Sequence, residues 1–273
     1  VEYSELIGYD AARWSIMTDK KLKWAGRNSS KDALRARIWS LLVQHGVADG
    51  EVFDKIPGFI GIGQAVERLV ASEVWRSARV VKCNPDTAHT LVRQRALAEG
   101  KFLYMPVPEL VQKQPYLALN PRELAGKGLS WEVLGTKEGA MKYGTPVDFE
   151  QMQPLDLVHV GSVAVASEGG RTGKGGGFGD LELGIFRELG IVNSTTPIVT
   201  CVHDLQVVPD SELPLQPHDS LLTAIFTTER TILVERSREQ PKGVDWESVL
   251  PEQYRSIPFL SELRDRLTSR AKA

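Results

Sequence analysis

Apolar residues recur along this chain with two alternating periods, one that suits helices and one that suits strands. Leu34, Ile38, Leu41 and Leu42 follow the i, i+4, i+7 spacing of one helix face, with Ser29 or Ser30 placed to cap it and Gly46 to close it. Lys31 and Arg35 stand one turn apart on that helix and share a face. Beyond the turn Ile56-Pro57-Gly58, residues 65–70 read as helix and residues 78–83 as strand. After Asn84-Pro85-Asp86 a second clear helix runs to Gly100, and Lys101 to Met105 is a strand that Pro106 stops. Strand, helix and strand at this length make a βαβ unit, whose crossover predicts a parallel sheet.

Residues 107–154 are rich in Pro and Gly with short mixed segments, and are expected to hold a mobile active-site loop. Leu155 to Ala166 predicts one long buried strand, and a helix is expected from Leu181 to about Leu189. Further strands are expected over 197–202, 204–208, 221–226 and 231–234, and a last amphipathic helix over Pro258 to Arg270. There is no internal repeat. The expectation is one α/β domain over 31–250, an N-terminal arm over 1–30 carrying Trp14 and Trp24, and a C-terminal helix over 251–273 packed on the domain.

Composition narrows the function classes. The chain has 273 residues, 42% hydrophobic and 25% charged, which is enough for a sizeable core. A formal charge of -2 gives no basic footprint, so no nucleic-acid partner held by bulk electrostatics is expected, while local sites for a phosphorylated small molecule stay open. Cys83 and Cys201 each sit in an apolar run and are expected as reduced, buried thiols without a disulfide or a CxxC knuckle. No apolar stretch approaches the ~20 residues of a membrane span, and the N-terminus lacks the basic and apolar regions of a signal peptide. The expected location is the cytoplasm, as monomer or homodimer.

The densest chemistry lies between Glu168 and Asp180. Glycines after a buried strand and before a helix let the backbone approach an anion with its N–H groups directed at it, and Arg171 and Lys174 add charge there. This is a phosphate cradle with a positive rim. It is not a Walker A loop, which would need Gly where Glu168 stands and Ser or Thr where Gly175 stands, and Phe178 breaks the GxGxxG pattern. Asp180 at the helix start favours a nucleotide with a divalent cation, since a carboxylate beside polyphosphate is otherwise repelled.

Several stretches occur together in an order that resembles the 5-formyltetrahydrofolate cyclo-ligase (methenyltetrahydrofolate synthetase) family. They are Lys31-x-x-x-Arg35, Gly100-Lys101 before a strand ending Met105-Pro106-Val107, Leu155-Asp156-Leu157-Val158, Gly161-x-Val163-Ala164, Arg171-x-Gly173-Lys174-Gly175-Gly176-Gly177-Phe178-Gly179-Asp180, and Leu213-Pro214 before His218-Asp219 and Thr227-Thr228-Glu229. The resemblance implies a Rossmann-like three-layer α/β fold with a mostly parallel sheet, grouped with sugar-phosphate isomerases and CoA transferases. It implies that Lys31, Arg35, Arg171 and Lys174 hold ATP phosphates, with Lys31, Arg171 and Lys174 catalytic. Gly173, Gly175, Gly176, Gly177, Phe178, Gly179 and Asp180 would complete the nucleotide site. Asp180 and Asp219 would sit near Mg²⁺, and Asp86, Met105, Tyr143 and Phe178 would meet a reduced folate or related heterocycle. In the family's reaction the formyl oxygen of 5-formyltetrahydrofolate attacks the γ-phosphate, N10 closes the ring and phosphate leaves, giving 5,10-methenyltetrahydrofolate.

The chain also departs from the family pattern. Gly177-Phe178-Gly179-Asp180-Leu181-Glu182 stands where the family usually has Gly-Tyr-Tyr-Asp-Arg, Asp86 stands in place of a Glu, and Tyr143-Gly144-Thr145-Pro146-Val147 replaces Gly-Ile-x-Glu-Pro. In these features the chain is most similar to the family's divergent synthetase-domain paralogues. Three classes therefore remain open: the ATP- and Mg²⁺-dependent cyclo-ligase, a nucleotide-binding paralogue without turnover, and an isomerase or acyl-CoA transferase using Glu168. His203-Asp204 and His218-Asp219 fit no helical ligand pair, and their aspartates read as loop-bonding residues. No GxSxG occurs, and neither cysteine has an adjacent base.

Overall fold

The computed structural model describes residues 23–235 and 238–270, the side chain of Arg270 excepted. The first half runs α1 (Ser29–Gln44), a ribbon of β1 (Ala48–Asp49) and β2 (Gly58–Phe59), α2 (Ile62–Ala71), α3 (Glu73–Ser77), β3 (Val80–Cys83), α4 (Thr90–Ala98), β4 (Phe102–Pro106), β5 (Tyr116–Leu119), α5 (Pro121–Ala125), α6 (Trp131–Leu134) and α7 (Lys137–Tyr143). The second runs β6 (Thr145–Val147), β7 (Leu157–His159), β8 (Ala164–Ala166), β9 (Arg171–Thr172), α8 (Phe178–Glu188), β10 (Ile198–Cys201), β11 (Val207–Val208), β12 (Ala224–Phe226), β13 (Thr231–Leu233), α9 (Pro251–Ser256) and α10 (Leu260–Arg270).

The central sheet has the order β13-β12-β10-β7-β3-β4-β5-β6. Its middle, β12, β10, β7, β3 and β4, is parallel, and β13, β5 and β6 add antiparallel edges. Both faces are covered, which is why the middle strands read as apolar runs rather than alternating ones. One face joins Val81, Leu103, Leu157, Val199 and Phe226 to residues of α2, α3 and α4 such as Leu69, Trp75 and Leu97. The other joins Tyr104, Val158, Ile198 and Ile225 to Leu183 and Phe186 of α8 and to Leu260, Leu263 and Leu267 of α10. A small sheet of order β11-β8-β9 stands apart, and α1 lays Leu34, Ile38 and Leu42 against its Ala164, Ala166 and Val208.

Several expectations are corrected. Asn28, not Ser29 or Ser30, caps α1, its side chain accepting the Lys31 amide at 2.9 Å. Residues 107–154 form β5, β6 and α5 to α7 and widen the sheet instead of making a loop at its mouth. The span 155–166 is two strands in two sheets, because the chain leaves the central sheet at Gly161. A Cβ there would lie 2.7 Å from Ile56. Residues 204–208 split into a single tight turn and the short β11, since Asp204 is drawn to the hydroxyls of Thr227 and Thr228. The strand expected over 221–226 shortens to β12, and α8 begins three residues earlier than expected, after Gly177 at φ 71°. The C-terminal segment is two helices, α9 starting at Pro251. Most of the expected N-terminal arm, Trp14 included, lies outside the described residues. No helix among the described residues is long and apolar enough to cross a membrane.

Two polar clusters are buried at the carboxyl end of β3, one on each face of the sheet. Lys82 is fully buried and pairs with Glu182 of α8 and with Asn84, while Tyr116 donates to the other Glu182 oxygen. On the opposite face Cys83 and His159 are register partners on β3 and β7, with Sγ 3.7 Å from Nδ1. His89, from the turn after β3, stands edge-on to His159 with ring centroids 4.6 Å apart. Burial pushes both imidazoles well below the usual histidine range. Arg93, Lys82 and Lys174 add to this at His89; His89, Lys82 and Arg93 do so at His159.

Two predictions follow from this burial. Glu182→Leu strands the Lys82 ammonium and is expected to cost about 3–5 kcal/mol in urea denaturation, most of it recovered in the Lys82→Met/Glu182→Leu double variant. A single variant as stable as wild type would contradict the ion pair. The unfolded chain protonates these two histidines near pH 6.5 and the folded one does not, so the stability they contribute is present above about pH 6.5 and falls below it. Wild type should lose roughly 2 kcal/mol between pH 6.5 and 5.5, about 1 kcal/mol per histidine in this first unit as each slope climbs toward about 1.4 kcal/mol per pH unit, and His89→Asn/His159→Asn should flatten that slope. Parallel slopes in the two proteins would refute the assignment.

Candidate functional site

In an open parallel sheet, the crevice lies where neighbouring strands send their chains to opposite sides. Here that point is between β3, which leads to β4, and β7, whose successors β10 and β12 lie the other way. A cavity of about 370 Å³ opens there. Asn84 and Asp86 reach it from beyond β3, Gly161 from beyond β7, and the turn Gly173–Gly177 from between β9 and α8.

The turn owes its path to glycine. Gly175 and Gly177 have φ of 112° and 71°, a region that side-chain-bearing residues rarely occupy, and a Cβ on Gly176 would meet the Phe178 ring at 2.6 Å. Its carbonyls are turned to protein donors. Arg27 and Gln253 donate to the Gly176 oxygen at 2.6 and 3.4 Å, and Arg35 to the Gly173 oxygen at 3.5 Å. Among the described residues no protein acceptor takes the amides of Gly175, Gly176 and Gly177. The turn then feeds directly into α8, so its amides without a protein acceptor coincide with the positive end of a helix.

Besides Arg27, which pairs with Glu252, four cations surround the turn, in two kinds of setting. Arg35 and Arg171 are only 4% and 5% exposed. Arg35 pairs with Asp32 and donates to the Thr172 hydroxyl at 2.8 Å, while Arg171 donates to the Gly161 carbonyl at 3.1 Å and to Asp180 at 3.0 Å. Lys31 and Lys174 reach across the cavity instead, Lys31 to Asp219 and Lys174 to Asp86 at 3.0 Å. A buried, doubly bonded guanidinium fixes the backbone around it. An ammonium on a flexible stem can change partner.

The two expected metal carboxylates are neighbours. Asp180 accepts the Ser220 amide at 3.0 Å, next to Asp219, which accepts the Gln216 amide at 2.7 Å. Phe178 lines the cavity and meets Trp24 edge to face at 5.5 Å. The structure thus brings together Lys31, Arg35, Asp86, Arg171, Gly173 to Asp180 and Asp219.

It does not bring Met105 or Tyr143 there. Met105 is sealed in the core among β4 neighbours, and Tyr143 packs at the end of α7 against that core. Glu168 is exposed outside the cavity, its amide bonded to Asp210, which removes the geometric support for an isomerase or transferase glutamate. His203 accepts the Leu205 amide, and Asp204 bonds Thr227 and Thr228, as loop-bonding residues.

Sequence reasoning missed a wall. Val244, Asp245, Ser248, Leu250 and Gln253 line the cavity, with Asp245 3.7 Å from His218. The clue available was Gly184 on α8. A Cβ there would sit 3.0 Å from Gly243 and Val244, so the helix is built to receive that segment closely.

A model of the 5-formyltetrahydrofolate cyclo-ligase family matches residues 27–228. The wall at 243–253 therefore lies beyond the matched segment. Methenyltetrahydrofolate synthase domain-containing proteins of Mus musculus and Homo sapiens are 36% and 34% identical to this chain over 239 residues, in each case 87% of it. The chain spans 64% and 62% of the length of those relatives. A solved structure of the Aquifex aeolicus 5,10-methenyltetrahydrofolate synthetase aligns with a TM-score of 0.47 at 19% identity, over 77% of this chain and 95% of that one. By the extent of the family match and by its likeness to these relatives, the chain belongs to the 5-formyltetrahydrofolate cyclo-ligase family.

Proposed function

We propose that the cavity binds ATP by its phosphates and that the chain uses it to close a formylated reduced folate to the methenyl form. The observation that carries this reading is the set of glycine amides without a protein acceptor at the start of α8, beside the ammonium groups of Lys31 and Lys174. Arg35 and Arg171 hold the cradle from behind, so the arriving phosphates meet a preformed backbone. Lys31 and Lys174 then leave Asp219 and Asp86 for phosphate oxygens, where charge-assisted bonds follow the negative charge as it moves between them.

The same exchange frees Asp219, beside Asp180, and two carboxylates plus phosphate oxygens are a donor set suited to Mg²⁺. The ion supplies charge neutralisation of the polyphosphate when bound. ATP supplies the phosphoryl group that turns the formyl oxygen into a leaving group, and ring closure expels it as phosphate. The contribution of this chain is to hold the two reactants in line and keep water out. Asp86, released from Lys174, is placed to accept a hydrogen bond from an N–H of the heterocycle, and Phe178 offers it an aromatic edge.

A second reading, nucleotide binding without cyclo-ligase turnover, is favoured by one specific feature. At Gly179 the place of a side chain is filled by Arg171, 2.8 Å from where a Cβ would stand. No aromatic wall can be supplied from that position.

Calorimetry is expected to show ATP binding weakened by about 1.5–3 kcal/mol in each of Lys31→Ala and Lys174→Ala, the range for one lost charge-assisted bond. Unchanged affinity in both would reject the phosphate site. With 5-formyltetrahydrofolate, ATP and Mg²⁺, the methenyl-folate absorbance band is expected to grow, to need all three, and to slow at least tenfold in Lys174→Ala, matching about 1.4 kcal/mol or more. ATP binding without any band would select the second reading.

A further inference from the structure

We propose that Cys83, His89 and His159 form a three-ligand site for a soft d¹⁰ metal ion, Cu(I) or Zn(II), beneath the floor of the cavity. The fold brings these residues together from two directions. Register pairing of β3 with β7 puts the Cys83 and His159 side chains side by side on one sheet face, and the turn Thr87–His89 carries His89 over them. One donor atom from each residue lies within 4.8 Å of the other two, and the Sγ to Nδ1 separation is 3.7 Å. Bonds of about 2.3 Å to sulfur and about 2.0–2.1 Å to nitrogen span such a triangle with small side-chain rotations.

The second observation is unmet polar capacity. Both His89 nitrogens and His159 Nε2 are sealed from solvent without a hydrogen-bond partner among the described residues. Exposure of the three side chains is 2% or less. Buried polar atoms without partners are rare, and three of them on two imidazoles set edge to face call for a bound species between them. A neutral imidazole offers a lone pair, and a thiolate with two imidazoles is a soft donor set.

Charge ranks the two ions. Arg93 donates to the carbonyls of Asn84 and Asp86, and Lys82 lies on the other face of the same strand, so both cations are close to Cys83. A monovalent ion joined to a thiolate adds no net charge there, whereas a divalent one adds a positive charge among cations. Cu(I) is also satisfied by three ligands, while structural zinc takes four. The geometry therefore favours Cu(I). Gly161, which lines the cavity, separates it from the cluster, since a Cβ there would lie 3.2 Å from His89 Cε1.

The test uses the purified chain under anaerobic reducing conditions, without nucleotide, so that it is independent of the proposed ATP site. Wild type should take one equivalent of Cu(I) from a chromophoric copper chelator, and X-ray absorption should give one sulfur and two nitrogen scatterers. A parallel titration with Zn(II) against a zinc indicator identifies which ion is held. Cys83→Ser and His159→Asn should each weaken retention at least a hundredfold. His218→Ala, a change of a cavity-wall histidine away from the cluster, should retain the ion. Cys83→Ser buries a hydroxyl in place of a thiol and is expected to melt somewhat lower without metal, so the readout is the metal-induced rise in melting temperature, which only wild type should show. Failure of both ions to bind in one equivalent, or equal retention by Cys83→Ser, would overturn the proposal and leave a buried water as the bridge between the imidazoles.

Discussion

The guanidinium of Arg171 is fixed between the Gly161 carbonyl and the Asp180 carboxylate, and the shape of the cavity depends on that one placement. It joins three pieces of chain that diverge in sequence: the exit from β7, the strand β9 and the first turn of α8. Gly179 makes the placement possible, because a side chain there would occupy the position of the Arg171 Nη2 atom. The residue that departs most visibly from the family pattern is thus the one that admits the cation behind the loop. An aromatic side chain at position 179 and Arg171 in this placement exclude each other sterically.

Around this fixed point the site is charge-balanced. Each of the five cations at the turn, Arg27 included, has a carboxylate partner, but the partnerships differ in depth. Removing a buried partner leaves an uncompensated charge in low dielectric, so the Arg35 and Arg171 pairs persist. Lys174 is about one-third exposed and its pair with Asp86 is water-screened, hence readily exchanged for a stronger anion. The two arginines act as scaffold, Lys174 is the adjustable contact, and Lys31, whose pair with Asp219 is as enclosed as theirs, needs an incoming anion to replace its carboxylate, a division that sequence alone does not express.

What the sequence made legible follows from short-range physics. The glycine turn was visible because positive φ has few alternatives, and the Lys31 and Arg35 face because helical spacing is local. The parallel middle of the sheet followed from strand and helix lengths between Val80 and Pro106. What stayed hidden depends on pairing across distance. Lys82 and Glu182 are a hundred positions apart, and neither apolar run containing them announces a charge partner. Cys83 meets His159 only through strand register. Met105 was expected at a ligand, yet strand alternation turns its side chain into the core. Residues 107–154 looked like loop because their strands are short and broken by Pro and Gly, although pairing with β4 is enough to order them.

The Gly176 carbonyl receives Arg27 from before α1 and Gln253 from α9, segments 149 and 77 positions away. During synthesis from the N-terminus the turn therefore emerges long before its second clasp does. A nascent chain stopped short of α9 would carry the sheet's parallel middle but lack one of the two hydrogen bonds that orient those amides. Completion of the glycine turn is in this sense a late step of chain folding, timed by a helix that lies outside the family's own matched segment.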